Sequence, residues 1–307
     1  MHYRTTFSPI ALMFFLVLLP PAISAQDLNN DDGRYRPQGR QIAAQIGRQL
    51  EERLFEARAY DPMFQATEFA AATIFYPLTL SFDAPVSSVV LVPGYRGTQA
   101  AYDWWGPTLA SLGIATMIID TNSPEANFEE RKNALVAAVA LLRAENTREG
   151  SPLLNKLNAD RIGIMGHSLG GGASLAAAVE LGDQIHAVIP LTPYCCELRQ
   201  SFTGDYGNLT VPTLIFGSAE DTVAPPATHS KLLYDAIAPA TPRAYLEFTT
   251  GAHNLPTNEG TDLQTLAYYT VAWLKLHLEG KTNLAEVFAA PPEGEEGAKF
   301  AEFLSAN

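Results

Sequence analysis

The feature that most constrains the fold is Gly166-His167-Ser168-Leu169-Gly170. It follows a short apolar run at 161–165 and continues through Gly171 and Gly172 into an alanine-rich stretch ending near residue 181. A strand that reverses into a helix within so few residues leaves no space for Cβ atoms on either flank, so the flanks must be glycine. The apical residue is held in strained backbone geometry, its side chain raised above the C-terminal edge of a sheet. A serine there is a candidate nucleophile, and the N-terminus of the following helix offers favourable dipole to a developing oxyanion. A bare G-x-S-x-G arises by chance; the strand–turn–helix context gives it weight.

The chain around this turn alternates in the same way. Apolar runs at 72–76, 87–92, 116–120, 161–165, 187–191, 213–216 and 244–248 are separated by helical stretches at 102–112, 128–144, 169–181, 227–237 and 262–278. Continuous apolar runs suit strands buried on both faces, and strand–helix alternation implies a mostly parallel sheet covered by helices. The expected class is α/β, an α/β-hydrolase fold. With 307 residues, 47% of them hydrophobic, the chain can bury one large core. There is no internal repeat and no linker inside residues 70–280, the expected catalytic domain. Residues 26–69 form a lead-in that starts polar and then places Ile42, Ile46, Leu50 and Leu54 four apart, predicting an amphipathic helix over 40–58 that packs on the domain surface. Residues 281–307 are expected to be a C-terminal tail, rich in Pro, Glu and Gly from residue 291, a surface appendage ending in a short helix.

Residues 1–25 read as a signal peptide. Arg4 precedes an apolar run at 10–19, Pro20 and Pro21 break it, and Ala22-Ile23-Ser24-Ala25 offers small residues for cleavage. The run is shorter than the ~20 residues a membrane span needs. The expected location is therefore secreted or periplasmic, without stable membrane association. A net charge of −13 repels phosphate backbones and argues against nucleic acid as a partner. The two cysteines, Cys195 and Cys196, are adjacent. They can form a strained vicinal disulfide or stay as buried thiols, with the thiol pair favoured, and no neighbouring histidine makes either a nucleophile.

Serine needs a general base. His2 leaves with the leader, His167 should point away from its neighbour Ser168 and pack beside the turn, and His186, His229 and His277 fall within strand or helix. His253 sits in Gly251-Ala252-His253-Asn254, a loop after the last apolar run, where this fold supplies the base. The acid should follow a strand between serine and histidine. Glu220 and Asp221 both qualify, and Asp221 is favoured because it directly precedes the segment entering the next helix. The oxyanion donors are expected from the N–H groups of Leu169 and of Tyr95, the latter in Pro93-Gly94-Tyr95-Arg96-Gly97-Thr98.

At these residues the chain resembles the bacterial cutinase family, which includes polyester hydrolases acting on poly(ethylene terephthalate). The likeness is carried by Val92-Pro93-Gly94-Tyr95-Arg96-Gly97-Thr98-Gln99, Trp104-Trp105-Gly106-Pro107, Ile119-Asp120-Thr121-Asn122, Gly166 through Gly172, Pro190 through Tyr194, Glu220 through Pro225 and Tyr245-Leu246-Glu247. It spans residues 70–280 in unbroken order. The resemblance implies Ser168, Asp221 and His253 as catalytic residues, Tyr95 and Leu169 as the oxyanion hole, and Tyr194 and Val223 as further substrate-binding walls. It also implies an ester or polyester substrate, no large lid and no cofactor; some members bind calcium as a stabiliser. Separately, the chain is expected to be a monomer.

Departures gather around the cleft and the ends. Leu169 replaces the family's usual methionine, Tyr194 its usual tryptophan, and Asn254 follows the base where serine or phenylalanine is common. The family's C-terminal disulfide has no counterpart. These bear on polymer activity more than on ester hydrolysis, so a small-ester carboxylesterase, or an enzyme similar to dienelactone hydrolase, stands as the alternative.

Overall fold

The computed structural model describes residues 37–62, 66–195 and 206–306. The expected leader, most of the polar lead-in and Cys196 lie outside the described residues. Among the described residues a nine-stranded sheet runs in the order β1-β2-β4-β3-β5-β6-β7-β8-β9. The strands are β1 (Ala57–Tyr60), β2 (Phe69–Pro77), β3 (Val86–Val92), β4 (Ala115–Thr121), β5 (Leu157–His167), β6 (Ala187–Leu191), β7 (Thr213–Ser218), β8 (Arg243–Phe248) and β9 (Phe300–Ala306). The six from β4 to β8 are parallel; β1, β2 and β9 join antiparallel at the edges.

Alternate residues of the central strands enter two separate cores. Val89 and Leu91 pack on one face with Leu214, Phe216 and Leu246, while Val90 and Val92 pack on the other with Ile215 and Tyr245. That two-sided burial is why these segments read as continuous apolar runs. The first face is covered by α1 (Pro37–Gln49), α2 (Trp105–Ser111) and α6 (Leu263–Glu279), the second by α3 (Phe128–Glu145), α4 (Leu169–Leu181) and α5 (Ser230–Ala236). The α3 start is fixed by a capping box in which Asn127 and Glu130 satisfy each other's backbone N–H groups. This is the α/β-hydrolase arrangement expected from the sequence.

Two expectations at the ends are corrected. The helix predicted over 40–58 stops at Gln49: Glu51 turns the chain in the left-handed region at φ 54°, and the Glu52 N–H closes on the Gly47 carbonyl at 2.8 Å. Ile42 and Ile46 are buried as the stripe requires, but Leu54 is 48% exposed, and Ala57–Tyr60 forms an edge strand on β2. The C-terminal segment ends in a strand rather than a helix. After a single turn, α7 (Gly294–Gly297), β9 pairs along the whole of β8 and brings Phe300 and Phe303 against Tyr269. It caps an otherwise open sheet edge, and the sheet extends beyond residues 70–280 at both ends.

A buried charge cluster ties the α1 turn to α6. Lys275, 3% exposed, bridges Glu52 at 3.1 Å and Glu279 at 3.2 Å, and Lys281 completes the cluster on Glu52. Removing a cation from such a cluster strands carboxylates in low dielectric. Lys275→Ala is expected to cost about 3 kcal/mol, read as a lower urea midpoint with the denaturant slope unchanged.

Candidate active site

β5 ends at His167 and α4 begins at Leu169, leaving Ser168 as the hinge at φ 54° and ψ −121°. The close approach is absolute: a Cβ on Gly166 would lie 2.1 Å from the Gly170 carbonyl oxygen. The strained backbone of Ser168 is pinned from β6, its N–H donating to the Leu191 carbonyl at 3.0 Å and its own carbonyl accepting from the N–H groups of Tyr194 at 2.8 Å and Gly172 at 3.1 Å. Strain of this kind persists only where surrounding structure holds it.

The loop after β8 reverses through two left-handed residues, Gly251 at φ 101° and Ala252 at φ 49°, and delivers His253 to the serine. His253 Nε2 lies 2.8 Å from Ser168 Oγ, and Nδ1 lies 2.7 Å from Asp221 Oδ2. A carboxylate only accepts, so Nδ1 carries the proton and Nε2 is the acceptor facing the hydroxyl. Asp221, in the turn after β7, is 3% exposed. Burial alone would raise its pKa; the hydrogen bond from His253 and those from the Ala224 and Val223 N–H groups to the carboxylate outweigh burial and hold it below 3.8. The carboxylate is therefore ionised at neutral pH. Glu220, the other candidate from the sequence, is exposed.

Leu169 is the first residue of α4, so no preceding turn can accept its N–H. Tyr95 follows β3 in a loop held from beneath by Arg131, a fully buried guanidinium that donates to the Pro93 carbonyl at 2.9 Å and the Pro124 carbonyl at 2.8 Å. Among the described residues, no backbone acceptor takes the N–H of Tyr95 or of Leu169. A cavity of about 410 Å³ opens over Ser168 and His253, with Tyr95, Arg96, Asn254 and Glu259 on its walls. A larger cavity of about 660 Å³ lies beside β2 and β4, but no described nucleophile–base pair lines it. Chemistry rather than volume marks the site.

Tyr194 and Val223 lie outside the 410 Å³ cavity. Tyr194 adjoins the serine through its backbone and packs its ring on His229, 4.4 Å between centroids; Val223 is 55% exposed beside Asp221. Cys195 is buried, with its Sγ 3.2 Å from His229 Nδ1. No group of three or more metal-ligating side chains occurs among the described residues, and no described helix is long and apolar enough to cross a membrane.

His167 does pack beside the turn, but it is not inert. Its ring is buried between the Tyr102 hydroxyl, 2.6 Å from Nδ1, and the His253 carbonyl, 2.9 Å from Nε2. Tyr102, Arg131 and Thr192 also contact the site's framework, and sequence reasoning passed over all three. Tyr102 and Arg131 read as members of helical stretches, and Thr192 only as part of the block Pro190 through Tyr194.

A serine, a histidine and an aspartate joined by hydrogen bonds thus stand at the C-terminal edge of the mostly parallel sheet of an α/β-hydrolase fold. The sequence comparisons narrow this further. The PET hydrolase-like family model matches residues 53–305, and the chain belongs to that family of carboxylic ester hydrolases. It is 35% identical to the bis(hydroxyethyl) terephthalate hydrolase of Streptomyces coelicolor over 73% of this chain and 67% of that protein. It is 36% identical to cutinase est2 of Thermobifida alba over 75% and 71% of the two chains. A cutinase of Thermobifida fusca is 33% identical over 74% and 70%.

Burial, with a smaller push from His253, lowers the pKa of His167 from 6.5 to about 3. The unfolded chain then takes up a proton that the folded chain refuses, so this contribution to stability is intact above pH 6.5 and is lost as pH falls toward about 3. Urea midpoints measured across that window should fall for the wild type. The fall should be shallower, by about one proton, in His167→Gln.

Proposed function

We propose that this chain is an exported serine polyesterase, acting on aromatic polyesters such as poly(ethylene terephthalate) and on short-chain esters. The observation that carries the reading is the continuous hydrogen-bonded chain from Asp221 through His253 to a serine held at φ 54°. Its names come from relatives that are cutinases and a terephthalate-ester hydrolase. Export follows from the leader-like residues 1–25, and the working unit is a monomer.

In the first half-reaction Ser168 Oγ attacks the ester carbonyl while His253 Nε2 takes the hydroxyl proton. The negative charge on the tetrahedral intermediate falls to the N–H groups of Tyr95 and Leu169. Asp221 stays ionised, fixes the tautomer of His253 and stabilises the imidazolium. His253 then protonates the leaving alcohol, and the acyl group remains on Ser168. In the second half-reaction water gives a proton to His253 Nε2 and attacks the acyl carbon; the intermediate collapses by breaking the Ser168 Oγ–acyl bond, His253 returns the proton to Ser168 Oγ, and the acid leaves. Tyr194 and Val223 flank longer acyl groups beyond the 410 Å³ cavity.

Polar walls favour a second reading. Arg96, Asn254 and Glu259 line the cavity and suit a soluble ester better than a polymer face, as in a carboxylesterase or an enzyme similar to dienelactone hydrolase. Soluble products released from polyester film, measured beside nitrophenyl-ester kinetics, separate the two: release supports the polyesterase, and activity on soluble esters alone supports the alternative.

Ser168→Ala should lower kcat on a nitrophenyl ester by about 10⁴-fold or more with an unchanged circular dichroism spectrum. Asp221→Asn should lose about 10⁴-fold, because the neutral amide no longer holds the tautomer. Retained turnover in the serine variant would remove Ser168 as nucleophile.

A further inference from the structure

The hydrogen bonds behind the site have only one possible polarity. The His253 carbonyl is an acceptor alone, so His167 Nε2 must carry the proton it shares with that carbonyl. Burial keeps the His167 ring neutral, so its Nδ1 has a bare lone pair. The Tyr102 hydroxyl, 2.6 Å away, must therefore donate to Nδ1, and its oxygen accepts the Gly94 N–H at 3.1 Å. The order Gly94 N–H to Tyr102 O–H to His167 to the His253 carbonyl has each donor committed. Thr192 Oγ1 gives the same carbonyl a second donor at 3.0 Å. Tyr102 is 1% exposed and His167 5%, so water cannot readily replace either.

This line joins three segments around the site. Gly94 precedes Tyr95 on the oxyanion loop, His167 precedes Ser168 on the nucleophile turn, and His253 is on the base loop. The fit is close, since a Cβ on Gly94 would lie 2.9 Å from both His167 Nδ1 and Ser168 Cβ. We infer that Tyr102 is a positioning residue for catalysis: through His167 it sets the depth of the His253 loop relative to the oxyanion loop, and so the alignment of the base with the attacking hydroxyl. A hydroxyl donating to Nδ1 also polarises the ring and makes Nε2–H a better donor to the His253 carbonyl. Tyr102 touches no reacting atom. Its effect is on geometry, where misplacement of about 1 Å can cost about 10²-fold in rate. The inference rests on His253 being the general base.

The test is Tyr102→Phe, which keeps the ring and removes the donor. The expected result is a fall in kcat on a nitrophenyl ester of about tenfold or more with KM within about twofold. It should be accompanied by a shift or broadening of the low-field proton resonance of His253 Nδ1–H, which a purely space-filling role leaves unmoved. An unchanged kcat, or kcat and KM moving together with that resonance unmoved, overturns the inference. Should Tyr102→Phe fail to fold, His167→Gln and His167→Leu decide. Glutamine can still donate to the His253 carbonyl and should retain more kcat than leucine, whereas equal kcat overturns the inference. The two readings fail separately: turnover surviving in Ser168→Ala removes the triad, while an inert Ser168→Ala beside a fully active Tyr102→Phe removes only the role of Tyr102.

Discussion

The contact on which the rest depends is the backbone crossing at the end of β5, where Gly166 meets Gly170 with no room for a Cβ between them. Only that approach lets a buried central strand reverse directly into α4 and leave Ser168 at the edge with φ 54°. Everything functional is arranged around this point. The end of β6 holds the serine's backbone through Leu191 and Tyr194, the end of β7 supplies Asp221, and the loop after β8 supplies His253. Parallel strands bring these loops to one edge, so residues 53 and 85 positions from the serine in sequence share a single hydrogen-bonded line.

Electrostatics at the site are set by what is buried and what donates. Asp221 remains charged because three donors outweigh its desolvation, whereas His167, with one acceptor, one donor and no solvent, stays neutral. Two buried groups within one network are thus driven to opposite charge states by their partners. A charged His167 would place a cation beside His253, and its ring lies 4.9 Å from the His253 ring.

Much of this was legible in the sequence, for identifiable reasons. The glycines around Ser168 gain their weight from the strand that precedes them and the helix that follows. Chain order pointed to His253 and to the Glu220-Asp221 pair, because the fold fixes which strand ends face the serine, and the family resemblance chose Asp221. The central strands were visible as apolar runs because both faces are buried. The edges were harder. Ala57–Tyr60 is four residues long with only Ala57 fully buried, and the four-residue stripe from Ile42 to Leu54 masked a helix end set by Glu51 in the left-handed region. β9 was read as helix because none of its residues is fully buried and its half-buried and exposed positions do not alternate cleanly. Tyr102 and Arg131 could not be singled out, since their roles come from tertiary hydrogen bonds, of Tyr102 to His167 Nδ1 and the Gly94 N–H and of Arg131 to two carbonyls, that have no sequence pattern.

The central claim is that Ser168 is an activated nucleophile, made so by His253 and Asp221. Labelling with a fluorophosphonate, followed by peptide mass spectrometry, tests it most directly because it reads the attacking atom and needs no knowledge of the natural ester. A single adduct on Ser168 is expected, forming orders of magnitude more slowly in His253→Ala than in the wild type. An adduct elsewhere, or a labelling rate indifferent to His253, would contradict it.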